Sequence, residues 1–460
     1  MGNKKNAWLK FDDTKKEEIF SFCEGYKKYI SDCKTERESI KEAISLAESK
    51  GYRDLKNVIS AGKSLKAGDK VYYNNMDKSL ALFLIGSESI ESGMRIIGSH
   101  VDSPRLDLKP NPLYEDSELS LMETHYYGGV KKYQWVTIPL ALHGVVVKKD
   151  GTKIDVVVGE EETDPVVMVS DLLVHLASEQ QQKKATEVIA GEDLNILVGS
   201  MPLEGEEKEA VKANILKLLK EKYDIEEEDF MSAEIEIVPA GKARDLGLDR
   251  SMVAGYGHDD RICAYTSLLA LLETESTKKT SVVLLVDKEE VGSIGATGMQ
   301  SRFFENAVAE LMDRVGEYSE LKLRRALANS KMLSSDVTAA FDPNYAGAYE
   351  KKNSAFFGKG LAFAKYTGAR GKSGCNDANA EFVAWLRNVM DENDVAYQMA
   401  ELGKVDQGGG GTIAYILAEY GMEVIDCGVA LQNMHAPWEV ASKVDIFETM
   451  RGYKAFLMAE

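Results

Sequence analysis

Two adjacent glutamates, Glu289 and Glu290, follow an apolar, β-branched run at residues 281–286 and precede Gly292. The run predicts a buried strand, and open α/β sheets bind their ligands where such strands end. Because neighbouring side chains leave the backbone in different directions, one carboxylate could bind a metal ion while the other moves a proton. Acidic pairs are also common on solvated surfaces, so this pair predicts a catalytic site only if the chain supplies partners.

His100 and Asp102 form a second polar pair at the end of another short apolar run. An imidazole is a good ligand for zinc or cobalt, and a carboxylate two residues further on can orient the ring. A His-x-Asp pair also arises by chance in loops. It therefore indicates metal binding only in combination with other segments.

Three further segments place acidic or imidazole side chains beside apolar runs. Asp259 and Asp260 precede a periodic apolar helix, where an aspartate commonly caps the helix N-terminus. Asp336 follows the serines that end another apolar run, and His435 lies in a polar loop after the strand-like residues 424–431. Each segment has an ordinary structural explanation, and only the combination suggests a shared site.

Together these segments resemble the M18 family of metallo-aminopeptidases, the group of aspartyl aminopeptidase and vacuolar aminopeptidase I. The resemblance follows the family's order across nearly the whole chain. Its strongest motifs are Gly98-Ser99-His100-Val101-Asp102-Ser103-Pro104, Glu289-Glu290-Val291-Gly292-Ser293, Ser335-Asp336 followed by Pro343-Asn344-Tyr345, and Met434-His435. The resemblance implies a zinc-dependent aminopeptidase, a hydrolase that acts on peptides with a free N-terminus.

Residue by residue, the resemblance implies that two divalent metal ions are bound in each subunit. Asp259 would bridge the two ions. His100 and Asp336 would complete the ligands of one ion, and Glu290 and His435 those of the other. Such nitrogen and oxygen donors suit zinc, with cobalt or manganese as possible substitutes.

The same resemblance assigns the catalytic residues. The ions would lower the pKa of a shared bridging water and polarise the scissile carbonyl. Glu289 would act as general base, taking the proton of the water and passing it to the departing amine. Asp102 joins the catalytic residues because it can hold the ring of His100.

His175 lies in a short apolar segment, residues 169–177, that resembles a family segment whose histidine reaches the active site of a neighbouring subunit. The resemblance implies that His175 stabilises the oxyanion formed at the substrate carbonyl. A histidine in an amphipathic segment can instead serve packing or face solvent. His125, His143 and His258 receive no role, and His258 departs from the usual family residue at its position.

The preferred N-terminal residue stays open, because the family includes enzymes that prefer acidic residues and others that prefer neutral or basic ones. The glycine-rich turn at residues 407–412 lacks the Lys-Ser/Thr of a phosphate-binding loop, so no nucleotide is expected. By resemblance this turn lines the substrate cleft, although its polar motif departs from the family pattern. Lys404, Lys372 and Arg370 are candidates for a pocket that binds an acidic side chain, with surface solvation as the alternative.

The composition predicts a soluble globular protein. Of the 460 residues, 44% are hydrophobic and 28% charged, and no apolar run approaches the ~20 residues that cross a bilayer. The start of the chain lacks the features of a secretory signal, so a cytoplasmic location without membrane attachment is expected. A net charge of −19 disfavours nucleic acid as a partner. The five scattered cysteines are expected to be reduced thiols.

The order of the predicted elements indicates a discontinuous catalytic domain. Two alternating strands at residues 142–148 and 153–158 predict a hairpin within a mainly-β segment. That segment also contains a charge-rich amphipathic stretch at residues 206–223, which predicts a helix. After it helices and strands alternate, with a helix predicted at residues 301–318, as in a sheet covered on both faces. We therefore predict a three-layer α/β/α sandwich at residues 1–102 plus 255–460, with an inserted dimerisation or lid domain at residues 103–254.

The resemblance also implies a homo-oligomer, a tetrahedral dodecamer built from dimers. Two other functions remain open from the residues alone. One is an M42-type di-metal aminopeptidase, or a related deacylase or carboxypeptidase, against which the long insertion and the motif order argue. The other is a catalytically inactive assembly or binding protein, against which the complete ligand set and Glu289 argue.

Overall fold

The structure is a computed structural model that describes residues 5–460. Within this range the chain divides into two compact units. The first unit contains the residues up to Asp102, residues 243–434 and residues 439–460, and the second contains residues 103–242 and 435–438. The first unit is therefore discontinuous in sequence.

Ten α-helices lie in the described residues, and polar side chains cap several of their N-termini. Asp12 caps the first helix, and Thr35 forms a capping box with Glu38 in the second. The helices are α1 (Asp13–Asp32), α2 (Glu36–Ser49), α3 (Leu55–Ser60), α4 (Ala210–Tyr223), α5 (His258–Leu272), α6 (Phe303–Arg314), α7 (Glu320–Ala328), α8 (Ala380–Glu392), α9 (Ala414–Ala418) and α10 (Lys443–Met458). None of these helices in residues 5–460 combines the length and apolar character needed to cross a bilayer.

Twenty-one strands are described in the same range. The strands before the second unit are β1 (Arg53–Asp54), β2 (Lys70–Asn75), β3 (Ser79–Leu84) and β4 (Met94–His100). Those within the second unit are β5 (Arg105–Asp116), β6 (Leu119–Tyr127), β7 (Leu140–Val147), β8 (Lys153–Val158), β9 (Met168–Val169), β10 (Ile196–Gly199) and β11 (Ala233–Pro239). The remaining strands belong to the first unit and are β12 (Arg244–Leu246), β13 (Met252–Gly255), β14 (Thr280–Val286), β15 (Lys331–Ser335), β16 (Thr338–Ala339), β17 (Leu361–Ala364), β18 (Tyr397–Met399), β19 (Glu423–Gly428), β20 (Ala430–Gln432) and β21 (Glu439–Ser442).

A nine-stranded sheet forms the centre of the first unit, in the order β1-β2-β3-β14-β4-β15-β19-β17-β18. Alternate side chains of its central strands enter two different cores. Ile97 and Leu333 pack with α2, α5, α8 and α10, whereas Ile96 and Met332 pack with α3, α6, α7 and α9. Helices therefore cover both faces of the sheet, which confirms the predicted three-layer α/β/α sandwich.

The parallel strands β14, β4, β15 and β19 end at one edge of this sheet. The last residue of β4, His100, pairs with Val286 at the end of β14. Ser335 at the end of β15 pairs with Cys427 of β19. Because parallel strands present their carboxyl ends at the same edge, segments that are distant in sequence are brought together there.

The second unit is built around a seven-stranded sheet in the order β8-β7-β11-β5-β6-β10-β9. Its strand pairs are antiparallel, and β7 and β8 form the predicted hairpin. Val146, Val156 and Ile235 from three of these strands pack with Ile225 in a small core. The unit is therefore mainly β, with one helix of more than three turns, α4.

Some boundaries differ from the sequence-based predictions. The helix predicted over residues 206–223 starts only at Ala210, because the preceding residue has a left-handed backbone. The helix predicted over residues 301–318 ends at Arg314, and a separate helix, α7, follows it. Residues 243–254 belong to the first unit, because β13 pairs with β21 in a five-stranded sheet.

Candidate metal centre

His100 is buried at the end of β4, and its two ring nitrogens face different partners. Nδ1 lies 2.9 Å from the carbonyl oxygen of Asp102 and must donate, because a carbonyl only accepts. Nε2 lies near three carboxylate oxygens, at 3.2 Å from Asp259, 3.7 Å from Glu289 and 3.9 Å from Asp336. The ring is thus held in the orientation in which a neutral imidazole offers Nε2 to a metal ion.

Asp102 is fully buried and links the segment that contains His100 to the segment that contains Glu289 and Glu290. Its Oδ1 lies 3.3 Å from Nδ1 of His100 and accepts the N–H of Glu289 at 3.2 Å. Its Oδ2 accepts the N–H of Glu290, also at 3.2 Å. Asp102 therefore orients the imidazole and the backbone of the glutamate pair at the same time.

Glu289 and Glu290 begin a short 3-10 helix, Glu289–Val291, directly beyond β14. Lys288 and Gly292 flank this helix with left-handed backbones, at φ 71° and 95°. The two reversals turn the chain sharply, so both carboxylates stay at the sheet edge. The Glu289 side chain is 14% exposed, which leaves it within reach of a small substrate.

Asp259 and Asp260 lie at the start of α5, where the backbone is not helical and the peptide bond between them is cis. The N-cap residue is Gly257, so neither aspartate is the cap that the sequence also allowed. The N–H of Asp259 donates to Oε2 of the buried Glu439 at 3.1 Å. The Asp259 carboxylate lies with Oδ1 3.2 Å from Nε2 of His100.

The buried charges of the cluster shift one another's pKa values. Burial lowers the pKa of His100, but hydrogen bonds to Asp102 and Asp259 outweigh it and hold the pKa well above its usual range. Burial, followed by the charge of Glu289, raises the pKa of Asp336 well above its usual range. Burial and the charge of Asp336 do the same for Asp260. Carboxylates packed this closely need positive charge beside them.

The side chains at this edge fit a divalent metal ion. His100, Asp260 and Asp336 offer ligand atoms within 4.8 Å of one another. His100, Glu289 and Glu290 form a second such set. One imidazole with several carboxylates is a donor set typical of zinc and its neighbours among the divalent metals. The sequence-predicted residues that meet in the first unit are His100, Asp102, Asp259, Glu289, Glu290 and Asp336.

The other two sequence-predicted residues, His435 and His175, belong to the second unit. His435 has a left-handed backbone at φ 66°, and its Nδ1 lies 2.9 Å from the carbonyl oxygen of Gly129. That contact orients its ring as the Asp102 carbonyl orients His100. His175 is exposed and lines a cleft of 890 Å³ together with Leu172 and Lys183. The cluster of the first unit forms without His175.

The segment around His175 presents an apolar surface. Its large side chains are exposed over about half of their area or more: Leu172 47%, Leu173 53%, Val174 66% and Leu176 66%. These consecutive side chains form an exposed apolar patch on the second unit.

The remaining histidines have structural partners. The buried His143 has its Nε2 2.9 Å from a carboxylate oxygen of Glu160. His258 is buried, with its Nδ1 2.6 Å from the hydroxyl of Tyr26. The exposed His125 stacks on the adjacent tyrosine ring.

The three basic residues considered for an acidic pocket lie on exposed segments. Lys372 forms an ion pair with Asp377 at 2.7 Å and lies over the ring of Tyr366 at 3.8 Å. Arg370 has a left-handed backbone at φ 52°. Lys372 is therefore engaged within its own loop, and a pocket for an acidic side chain stays a prediction.

Sequence reasoning gave no role to Asp260 or Glu439, which the structure brings into the site. Asp260 adjoins Asp259, and the doubled aspartate before an apolar helix was the only signal for it. Glu439 is separated from Asp259 by 180 residues and is buried in β21. No local pattern identifies a partner at that distance.

The fold and the site together define a class of protein. A buried imidazole and several carboxylates converge at the carboxyl edge of a parallel sheet in an α/β/α unit. This is the arrangement expected of a metal-dependent hydrolase.

Comparison with known proteins specifies the family. The model of the family described as aminopeptidase I zinc metalloprotease (M18) matches residues 29–457. A probable M18 family aminopeptidase 1 from Clostridium acetobutylicum is 67% identical over 454 residues, which cover 98% of each chain. The crystal structure of an M18 family aminopeptidase from Thermotoga maritima superposes with a TM-score of 0.95 at 46% identity and covers 99% of both chains.

The protein belongs to the M18 family of aminopeptidases. It is a hydrolase that removes residues from the N-terminus of peptides. A more distant structure, described as the mApe1 dodecamer of S. cerevisiae, has a TM-score of 0.77 at 20% identity and covers 95% of this chain and 96% of that one. At that identity the likeness concerns the fold.

Proposed function

We propose that this aminopeptidase works with two divalent ions in each subunit, zinc in the first instance. Asp259 would be shared by the two ions, His100 and Asp336 would hold one, and Glu290 and His435 would hold the other. The family description as a zinc metalloprotease supports the choice of metal. The observation that carries the proposal is the convergence of Asp259, Asp336 and Glu289 on Nε2 of His100.

When bound, the ions supply a Lewis acid for the scissile carbonyl and lower the pKa of the attacking water. Glu289 takes the proton of that water at its carboxylate and delivers it to the nitrogen of the departing amine. Asp102 supports this step because it accepts the N–H of Glu289 and so fixes the backbone that carries the base. The same carboxylate keeps the His100 ring in its ligand orientation.

The metal requirement is tested with aminoacyl-p-nitroanilides, whose hydrolysis releases a coloured product. We expect turnover to disappear when a chelator removes the metal and to return when zinc, cobalt or manganese is added. Two bound ions per subunit by elemental analysis would support the stoichiometry. A metal-free preparation with full activity would contradict the proposal.

A second comparison separates aminopeptidase chemistry from the deacylase alternative. Peptides with a free N-terminus should be hydrolysed, whereas their N-acetylated forms should resist. A preference for N-acylated substrates would favour the deacylase. A panel of N-terminal residues run with each metal would then establish whether acidic, neutral or basic residues are preferred.

We further propose that His175 of one subunit serves the active site of a neighbour, where it stabilises the oxyanion at the substrate carbonyl. The exposed apolar segment around His175 supports an intersubunit surface. A tetrahedral dodecamer of dimers is the proposed assembly, and the S. cerevisiae structure described as a dodecamer supports it by fold.

All five cysteines are free thiols, which favours a reducing compartment such as the cytoplasm.

A further inference from the structure

The turn that carries Asp259 is held by buried groups that the proposed reaction does not use. Tyr26 of α1 and His258 of the turn are both fully buried, and the Tyr26 hydroxyl lies 2.6 Å from Nδ1 of His258. At this distance the two atoms form a hydrogen bond, which a phenolic hydroxyl can donate to an unprotonated ring nitrogen.

Arg261 joins the same turn to α1 at a second place. Its buried guanidinium donates to the carbonyl oxygens of Gly257 at 3.1 Å and Tyr256 at 3.3 Å, both in the turn. A third N–H donates at 2.8 Å to the carbonyl oxygen of Cys33, which directly follows α1. The planar fork of an arginine can hold three such acceptors in one geometry. Helix α1 and the turn are thus connected through two independent side chains.

Backbone bonds inside the turn limit how it can adjust. Gly257 has a left-handed backbone at φ 72°, and the N–H of Asp259 is bonded to Glu439. His258 lies between these two anchored residues. A change in the position of the His258 ring is therefore passed to the backbone of Asp259.

We propose that Tyr26 is a positioning residue for the metal centre, acting through His258 on the adjacent Asp259. The inference rests on the proposed function, because it takes Asp259 as a metal ligand. Residues that orient metal ligands alter metal affinity or activity by about 10- to 100-fold when they are replaced. Helix α1 then contributes to the metal centre through a positioning residue.

The test compares Tyr26→Phe with Tyr29→Phe in the full-length protein. Each change removes one buried hydroxyl from α1, and both rings pack against Tyr265, at 5.5 Å for Tyr26 and 5.0 Å for Tyr29. Of the two hydroxyls, that of Tyr26 contacts His258. Zinc affinity is measured by competition with a chromophoric chelator, and kcat and KM are measured with limiting and with excess zinc. We expect Tyr26→Phe to bind zinc about tenfold more weakly or worse, with kcat restored by excess zinc and KM unchanged. Tyr29→Phe should bind zinc like the wild type.

Two results would overturn the inference: wild-type zinc affinity in Tyr26→Phe, or an equal loss in both variants, which would indicate packing alone. A double-mutant cycle with His258→Gln tests the route. Once His258 is replaced, Tyr26→Phe should weaken zinc binding only a little further. Fully additive losses of zinc affinity would exclude action through His258. A wild-type protein that binds no zinc would contradict the proposed function itself. An active, zinc-loaded wild type beside an unaffected Tyr26→Phe would contradict this inference alone.

Discussion

At the scale of single residues, burial decides which side chains carry chemistry. His100, Asp102 and Asp260 are each at most 2% exposed. Charged groups are rarely buried to this degree unless they are paired or bind a metal. Glu289 differs, because its partly exposed carboxylate can exchange protons with a substrate or water. Exposure alone does not separate base from ligand, because the Asp336 side chain is 15% exposed as well. The first prediction therefore separates the two roles by substitution.

Glu289→Gln should keep bound metal and lose turnover. The amide has nearly the same shape as the carboxylate but cannot accept a proton, and loss of a general base lowers kcat by about 10²- to 10⁴-fold. Elemental analysis and kcat measured on one preparation check the prediction. Glu290→Gln is the matched control, since a change in a ligand should weaken metal binding. Equal losses of metal and activity in Glu289→Gln would make Glu289 a ligand instead.

Asp445 gives a pH prediction away from the metal. It is fully buried in α10 and accepts the N–H groups of Gly358 and Gly360, each at 2.7 Å. Burial, with a smaller contribution from Glu448, raises the pKa of its carboxyl to about 7, despite these hydrogen bonds and that of the Lys359 N–H. An unfolded aspartate has a pKa of about 3.9. Between these values the folded protein holds the proton more strongly, so this group makes the protein less stable as pH rises from about 4 to 7.

Asp445→Asn should remove that dependence, because an amide stays neutral throughout the range. The melting temperature of the variant relative to the wild type should therefore rise steadily from about pH 4 to pH 7. Thermal unfolding of both proteins in matched buffers measures the difference. A constant difference across the range would mean that Asp445 does not titrate there.

At the scale of elements, the site depends on short turns attached to rigid strands and helices. The turn before α5 requires Gly257, since a Cβ there would lie 1.5 Å from Nη2 of Arg261. That guanidinium cannot move away easily, because it is buried and bonded to three carbonyl oxygens. The same turn carries Asp259, so its stability and the chemistry of the site are linked.

Gly257→Ala should therefore lower both stability and zinc affinity. Gly316→Ala is the control, because Gly316 has a similar φ of 78° and no atom lies within 4 Å of the position that a Cβ would take there. The left-handed backbone alone costs about 1–2 kcal/mol in either variant. Crowding against Arg261 should add about 1–3 kcal/mol in Gly257→Ala only. Equal melting temperatures in the two variants would show that Arg261 yields without cost.

At the scale of the whole molecule, the chain combines a catalytic α/β/α unit with a mainly-β unit that exposes apolar residues near His175. Exposed leucines are unfavourable in a monomer in water, and burying them against another chain removes that penalty. A histidine placed within such a surface can enter the site of a neighbour in a symmetric dimer.

Co-expression of His175→Ala and Glu289→Gln subunits tests action across the interface. Each homo-oligomer should be nearly inactive. In a mixed dimer one of the two sites combines an intact Glu289 with an intact His175 from the neighbour, so random mixing should restore about a quarter of wild-type activity. If both residues act within one subunit, no mixed site is intact and activity should stay at the level of the homo-oligomers.

Much of the site could be predicted from short segments. An apolar run that ends in a polar cluster is visible in sequence, as with Glu289 and His100, because strand periodicity and burial leave a local signature. The helix predicted over residues 301–318 was wrong in extent, since a break between two helices depends on how each packs. The first unit resumes at residue 243, whereas the predicted boundary was residue 255. The difference arises because β13 pairs with β21 of the first unit.

The sequence by itself determined which residues are available for catalysis and metal binding and in which order their motifs occur, since both are properties of residues along the chain. Only the tertiary structure decided which groups meet. Asp102 accepts N–H groups 187 and 188 residues away, and Tyr26 contacts His258 across 232 residues. Such contacts depend on how strands and helices pack, and packing leaves no pattern in the residues on either side. Glu289 and Glu290 therefore belong to a site because the edge of the nine-stranded sheet brings His100 and its other carboxylate neighbours close to them.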